Sequence, residues 1–208
     1  MQNAVKIIFY SALILVVIMP QPIKKRYFEF GSYADSIDVS LLQNGDLIFR
    51  RGISLISIAV LAVDKESQYS HVGIIFLENE KISVVHSVPE EEPGEGDYVK
   101  KESLEVFLKQ DRTSNFGVFR VKDSSVANKA AEYSIRLFKE KTPFDNDYNL
   151  QDTAKVYCTE LIYHAYYKYG IDLSSGEFDE VSFPTGNKKL ILPGRIASNK
   201  NLQIIIKK

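Results

Sequence analysis

The side chains with reactive chemistry in this chain are few. There is one cysteine, Cys158, and there are three histidines, His71, His86 and His164. Cys158 stands in Val156-Tyr-Cys-Thr-Glu-Leu-Ile-Tyr-His-Ala-Tyr-Tyr-Lys-Tyr-Gly170, a stretch that reads as a helix opening near the cysteine. Leu161, Ile162, Ala165 and Tyr166 recur at helical spacing, and Gly170 suits the stop. The first turn of a helix presents unpaired N–H groups and a partial positive charge, which favour ionisation of a thiol. The expected chemistry is therefore that of an activated thiolate. The plain alternative is a small apolar side chain packed against a sheet.

The histidines divide by position. Tyr69-Ser-His-Val-Gly-Ile-Ile-Phe-Leu77 and Ile82-Ser-Val-Val-His-Ser87 read as two strands joined at Glu78-Asn-Glu-Lys81 into a hairpin. Successive strand side chains alternate faces, so any register that pairs odd with even positions puts His71 and His86 on one face. Pairing His71 with His86 makes them opposite; pairing it with Val88 makes them diagonal neighbours within reach. A register off by one separates them. His164 lies six positions after Cys158, about 240° around a helix, and faces elsewhere.

A thiol, a histidine base and a third group orienting that base form the general recipe for thiol acyl transfer. The base takes the thiol proton, the thiolate attacks a carbonyl, and water or another acceptor resolves the thioester. In this reading His86 orients His71, although a carboxylate would stabilise an imidazolium better than a neutral imidazole does. The same cysteine and two histidines also make an open zinc set, but without the short ligand spacings usual for zinc; the expectation is no metal and no cofactor. Asp145, Asp147, Asp152 and Glu160 read as solvated charges or helix-start residues.

The elements that must position these groups follow from pattern. Leu42-Gln-Asn-Gly-Asp46 is a turn before the short buried strand Leu47-Ile-Phe49. Ser54 caps a helix with Ile56, Val60 and Leu61 on a shared face, and Glu90 to Gly96 reads as an exposed acidic loop. Tyr98-Val-Lys100 and Phe116–Val121 are strands, separated by a short helix capped by Ser103. Ser125 is expected to cap a longer helix with Val126, Ala130, Tyr133 and Leu137 on one side. Beyond Gly170 come a strand at Val181–Phe183, a turn at Leu192-Pro-Gly194 and a last strand, Leu202–Ile206. Strands clustered with helices beside them give an α+β class, an antiparallel sheet or small barrel packed on helices.

Hydrophobic residues are 45% and charged residues 25% of the 208, the balance of a globular domain with a proper core. A net charge of −1 and the lack of a long basic run argue against a nucleic-acid partner. The run Ile7 to Met19 carries no charge. It is shorter than a spanning helix and fits the apolar core of a secretory signal, with no A-x-A-like cleavage site to decide between a cleaved leader and a retained anchor. The chain thus divides into a signal peptide or membrane anchor (1–21), a lead-in (22–40) and a catalytic domain (41–208). The expected location is the periplasm or cell envelope, with membrane association through the N-terminal segment.

Several short motifs then fall in a characteristic order: Gly45-Asp-Leu-Ile-Phe49, Tyr69-Ser-His-Val-Gly-Ile74, Tyr157-Cys-Thr-Glu-Leu-Ile162 and Pro193-Gly-Arg-Ile196. In these the chain resembles the YiiX/YaeF family of permuted papain-like, NlpC-type cysteine hydrolases, which is related in fold to lecithin retinol acyltransferase. The resemblance spans Leu41 to the C-terminus, and the histidine-bearing strands precede the cysteine-bearing helix. It implies Cys158 as nucleophile, His71 as base and His86 at the third position, where bacterial members commonly have Glu and the acyltransferase relatives have His. It also implies an exported thiol hydrolase acting on an amide, a cell-wall peptide or an N-acyl amide. The alternatives are a lipid acyl hydrolase or acyltransferase, and a catalytically silent binding module of the same fold. The substrate in any of these is a small peptide or lipid-like molecule.

Overall fold

The structure is a computed structural model that describes residues 30–79, 81–90, 94 and 96–208. The segment expected as signal or anchor, the start of the lead-in and part of the acidic loop lie outside the described residues.

Six antiparallel strands form one sheet in the order β4-β3-β2-β1-β5-β8. They are β1 Leu47–Gly52, β2 His71–Glu78, β3 Lys81–Val88, β4 Tyr98–Ser103, β5 Thr113–Val121 and β8 Leu202–Lys207. A separate hairpin pairs β6 Asp179–Phe183 with β7 Gly186–Leu190. The helices are α1 Leu55–Val63, α2 Leu104–Phe107, α3 Ser124–Lys139, α4 Cys158–Tyr167 and α5 Pro193–Ala197. The α+β architecture with an antiparallel sheet against helices is the one the sequence implies.

Side-chain alternation gives the sheet two cores. Leu47 and Phe49 of β1, Val72 and Ile74 of β2 and Val85 of β3 face one side, where they pack on α3 and α4 through Ala131, Leu161, Ile162 and Tyr166. Ile48, Ile75, Val84, Phe116 and Val118 face the other, against Ala34, Leu104, Phe107 and Leu108. Burying both faces explains why β1 and β2 read as near-continuous apolar runs.

Several local expectations change. Asp123, not Ser125, caps α3, accepting hydrogen bonds from the N–H groups of Ser125 and Val126 at 3.0 and 3.1 Å. Leu192-Pro-Gly194 is not a turn but the entry of α5, with Pro193 at its first turn, where a missing N–H costs nothing. Strand β4 continues past Lys100 to Ser103, which then also caps α2. Asp145 is fully buried, accepting the N–H groups of Asp147 and Asn149 and so shaping the segment before α4. Glu160 is likewise buried rather than solvated. It takes the helix-start role, accepting the Tyr157 N–H at 3.3 Å.

Candidate active site

The hairpin β2–β3 sets the two histidines. Its ladder pairs Ile74 with Val85 and Glu78 with Lys81 across a tight turn, in which Asn79 takes a positive φ of 48°. One step beyond Ile74–Val85, Gly73 faces His86, and His71 falls two residues along, diagonal to it. Gly73 is needed there: a Cβ on it would stand 2.4 Å from Val84 Cγ1 and 3.2 Å from His86 Cβ. The result is a hydrogen bond of 2.8 Å between His71 Nε2 and His86 Nδ1. Phe107 of α2 packs against both rings, with centroids 5.8 Å from His71 and 5.2 Å from His86. The side chain of Arg50, paired with His71 across β1–β2, lies over that phenyl ring, 4.7 Å from its centroid.

Strand β4 brings a residue that sequence reasoning missed. The β3–β4 ladder pairs Val84 with Glu102 and His86 with Lys100, which makes Glu102 a diagonal neighbour of His86 on the same face. Glu102 Oε2 lies 3.3 Å from His86 Nε2, and Arg112 stands 3.7 Å from the other carboxylate oxygen. Burial alone would raise the Glu102 pKa. The His86 contact and the charges of His86, Arg112 and Arg50 outweigh it and hold the carboxyl down at about 2. His71 is kept well below the ordinary histidine range by burial first, then by the Arg50 and His86 charges. With Glu102 ionised, one proton pattern makes His71 a base. Glu102 accepts from His86 Nε2–H, His86 Nδ1 accepts from His71 Nε2–H, and His71 Nδ1 keeps its lone pair.

Cys158 is the first residue of α4. With His71 it lines a cavity of about 550 Å³, within the size range of small-ligand sites. The cysteine packs on the α4 side of the sheet and the histidines pack on Phe107 of the other core, and both Cys158 and His71, the first residue of β2, line the one cavity. The helix-start expectation for the thiol is reversed. Burial pushes its pKa up to about 11, against the pull of N–H groups from Val72, Thr159 and Cys158 itself and of the Arg50 cation. Both shifts favour the neutral forms, a thiol at Cys158 and an imidazole at His71. Alkylation of Cys158 by iodoacetamide is expected to be slow at pH 7 and to climb steadily toward pH 11. A fast reaction at neutrality with a plateau above pH 7 would show the thiolate to be the resting form.

The remaining walls are largely apolar, from Ile53, Ile56 and Val60, from Val88 and Pro89, and from Phe144, Leu190 and Leu192. Tyr148 also faces this space. Its backbone is held at φ 50°, costly for an aromatic residue, and its ring stacks on Phe183 of β6 at 5.6 Å. Burial raises the Tyr148 pKa, as does the charge that Cys158 can carry. His164 is on the far side of α4, 3.4 Å from Glu160.

A family model described as "Permuted papain-like amidase enzyme, YaeF/YiiX, C92 family" matches residues 41–205. Among solved structures, that of metalloprotein yiiX from Escherichia coli O157:H7 is similar with a TM-score of 0.63 at 21% identity, over 80% of this chain and 97% of that one. No curated protein matches. That structure is described as a metalloprotein; in this chain, among the described residues, no three His, Cys, Asp or Glu side chains form a set able to hold an ion. His71 and His86 are turned toward each other, so the zinc set read from the sequence is not assembled.

Proposed function

Starting from a chain that belongs to the permuted papain-like amidase family of the YaeF/YiiX type, we propose that it is a thiol amidase in which Cys158 is the nucleophile, His71 the base, and His86 and Glu102 the groups that orient and charge-stabilise that base. The observation that carries this reading is the His71–His86 hydrogen bond of 2.8 Å, on the wall of the cavity that Cys158 opens into.

In the acylation step His71 Nδ1 takes the Sγ proton as sulfur bonds to the carbonyl carbon. The imidazolium that forms lies at the end of a line leading through His86 to the Glu102 carboxylate, which supplies the negative charge a neutral second histidine lacks. The tetrahedral oxyanion is met by N–H groups at the α4 start. On collapse the C–N bond breaks, and the nitrogen leaves with the proton held by His71. Water then gives its proton to His71 and attacks the thioester, and the acid departs with the thiol restored.

We assign Tyr148 as a second oxyanion donor, because it lines the same cavity as Cys158 and is close enough to feel its charge. Tyr148→Phe should lower kcat by about 10²-fold with KM little changed, the range for loss of one such donor. A rise in KM alone would make Tyr148 a substrate-packing residue instead.

The apolar walls support an acyl group of hydrocarbon character, so of the amide classes an N-acyl amide fits better than a polar wall peptide. An exported, envelope-associated location rests on the uncharged run Ile7 to Met19. The decisive test is mass spectrometry of Cys158 after brief incubation with N-acyl amides, wall peptides and phospholipids. A mass increase equal to the acyl group of the N-acyl amide is expected. An adduct only from phospholipid would make the enzyme an ester-directed acyl hydrolase, and one only from peptides would restore the wall-peptide assignment.

A further inference from the structure

Helix α1 poses a problem that the catalytic reading leaves unsolved. Its sequence, Leu-Ile-Ser-Ile-Ala-Val-Leu-Ala-Val, has Ser57 as its one polar side chain, yet none of its nine residues is buried. Leu55 is 85% exposed and Ile58 56%, with Ile53 just before them at 49%. A helix apolar on every side ordinarily sits within a core or against lipid. The helix capped by Ser54 forms as the sequence implies, but the face shared by Ile56, Val60 and Leu61 is not buried. Ile56 and Val60 instead form part of the cavity wall, leaving Leu55 and Ile58 to face outward.

The rest of the chain says what covers this surface. At nine residues α1 is ~14 Å long, too short for a hydrocarbon core of about 30 Å. Among the described residues no helix is long and apolar enough to cross a membrane. The chain outside the described part contains the uncharged run Ile7 to Met19 and then Lys24-Lys-Arg26, and it ends next to Phe30, itself 53% exposed. The ten residues between Met19 and Phe30 extend at most ~35 Å. An apolar run that enters a bilayer therefore keeps the folded body close to that bilayer, and the cationic stretch suits anionic headgroups. Arg51 and Lys65 flank α1 and are balanced there by Asp64, which caps the helix, and Glu66, so the attraction to anionic headgroups rests on Lys24-Lys-Arg26.

We propose that α1, with Ile53, docks in the plane of a phospholipid bilayer and presents its side of the cavity to the membrane interface. A short amphiphile could then pass along the helix into the cavity without its acyl chain crossing water. The proposal stands apart from the catalytic assignment and is tested without turnover.

The chain contains no tryptophan, so Leu55→Trp installs a lone indole on the proposed contact, and Ile204→Trp installs one on the exposed face of β8 as the control. Each full-length variant is mixed with vesicles of phosphatidylcholine and phosphatidylglycerol, with circular dichroism confirming the fold. The expected result is a blue shift of about 10 nm or more for Leu55→Trp and none for Ile204→Trp. An unmoved Leu55→Trp emission overturns the proposal, even if the protein sediments with vesicles, because the N-terminal run alone would then make the contact. Emission already blue before lipid is added, and unchanged by it, also overturns it by showing that protein covers α1. Equal shifts at both positions would mean unspecific adsorption and overturn it as well.

Discussion

Cys158→Ala should abolish turnover while leaving the thermal midpoint within about 2 °C of the parent. The sulfur is the only atom lost, it lies at a cavity edge rather than in the middle of a core, and Ala is well tolerated at a helix start. Nothing else among the described lining residues supplies a nucleophile backed by a base. His71→Ala should reduce kcat/KM by about 10²–10⁴-fold, the usual contribution of general base catalysis. Combining the two should cost no more than Cys158→Ala alone, because groups acting as a unit are not additive. Activity in Cys158→Ala equal to the parent, measured on the substrate that yields the acyl adduct, would end the thiol mechanism.

The second large effect comes from His86→Glu. From the sequence alone this exchange looks mild, since bacterial relatives commonly carry Glu at that place, and retained activity is the natural expectation. The structure reverses it. His86 is fully buried, and the carboxylate of Glu102 lies 3.3 Å from its Nε2. A second carboxylate in that position meets the first at low dielectric, and one of them must take up a proton or the site must rearrange. The single exchange should therefore cost about 10²-fold or more in kcat/KM, within the range for a disabled base. His86→Glu combined with Glu102→Gln should recover most of that loss, because a single carboxylate then faces His71 directly. Recovery in the double variant would be a coupling of opposite sign to simple damage. Full activity in His86→Glu alone would show that Glu102 takes no part.

What the sequence made legible, and what it hid, follows from which forces act locally. The meeting of His71 and His86 could be read from strand parity, because the period of two is fixed by the backbone and the hairpin is short. The diagonal arrangement is one of the two registers that the hairpin sequence allows. Glu102 was hidden because β4 shows no apolar alternation past Val99. Lys101 and Glu102 look like solvated loop until β3 pairs with them, and that pairing is a long-range event. The state of Cys158 is hard to read from sequence for a related reason. A helix terminus is visible in sequence and lowers a thiol pKa, whereas burial depends on packing from β2 and α4 together, and burial wins. Asp145 was taken for a solvated charge because nothing local announces that its carboxylate will organise the next turn of backbone. The exposure of α1 was hidden because apolar spacing tells which residues share a side, not whether protein will cover it.

The two sides of the sheet bear differently on the thiol and its base. Cys158 belongs to the layer built by α3 and α4, while His71 and His86 rest on Phe107 in the opposite layer. A partly folded chain that has consolidated one layer and not the other holds a cysteine without a base, or a base without a cysteine. Under the roles proposed for Cys158 and His71, acyl transfer requires both layers to be in place, so activity reports on assembly of the sheet together with both its faces.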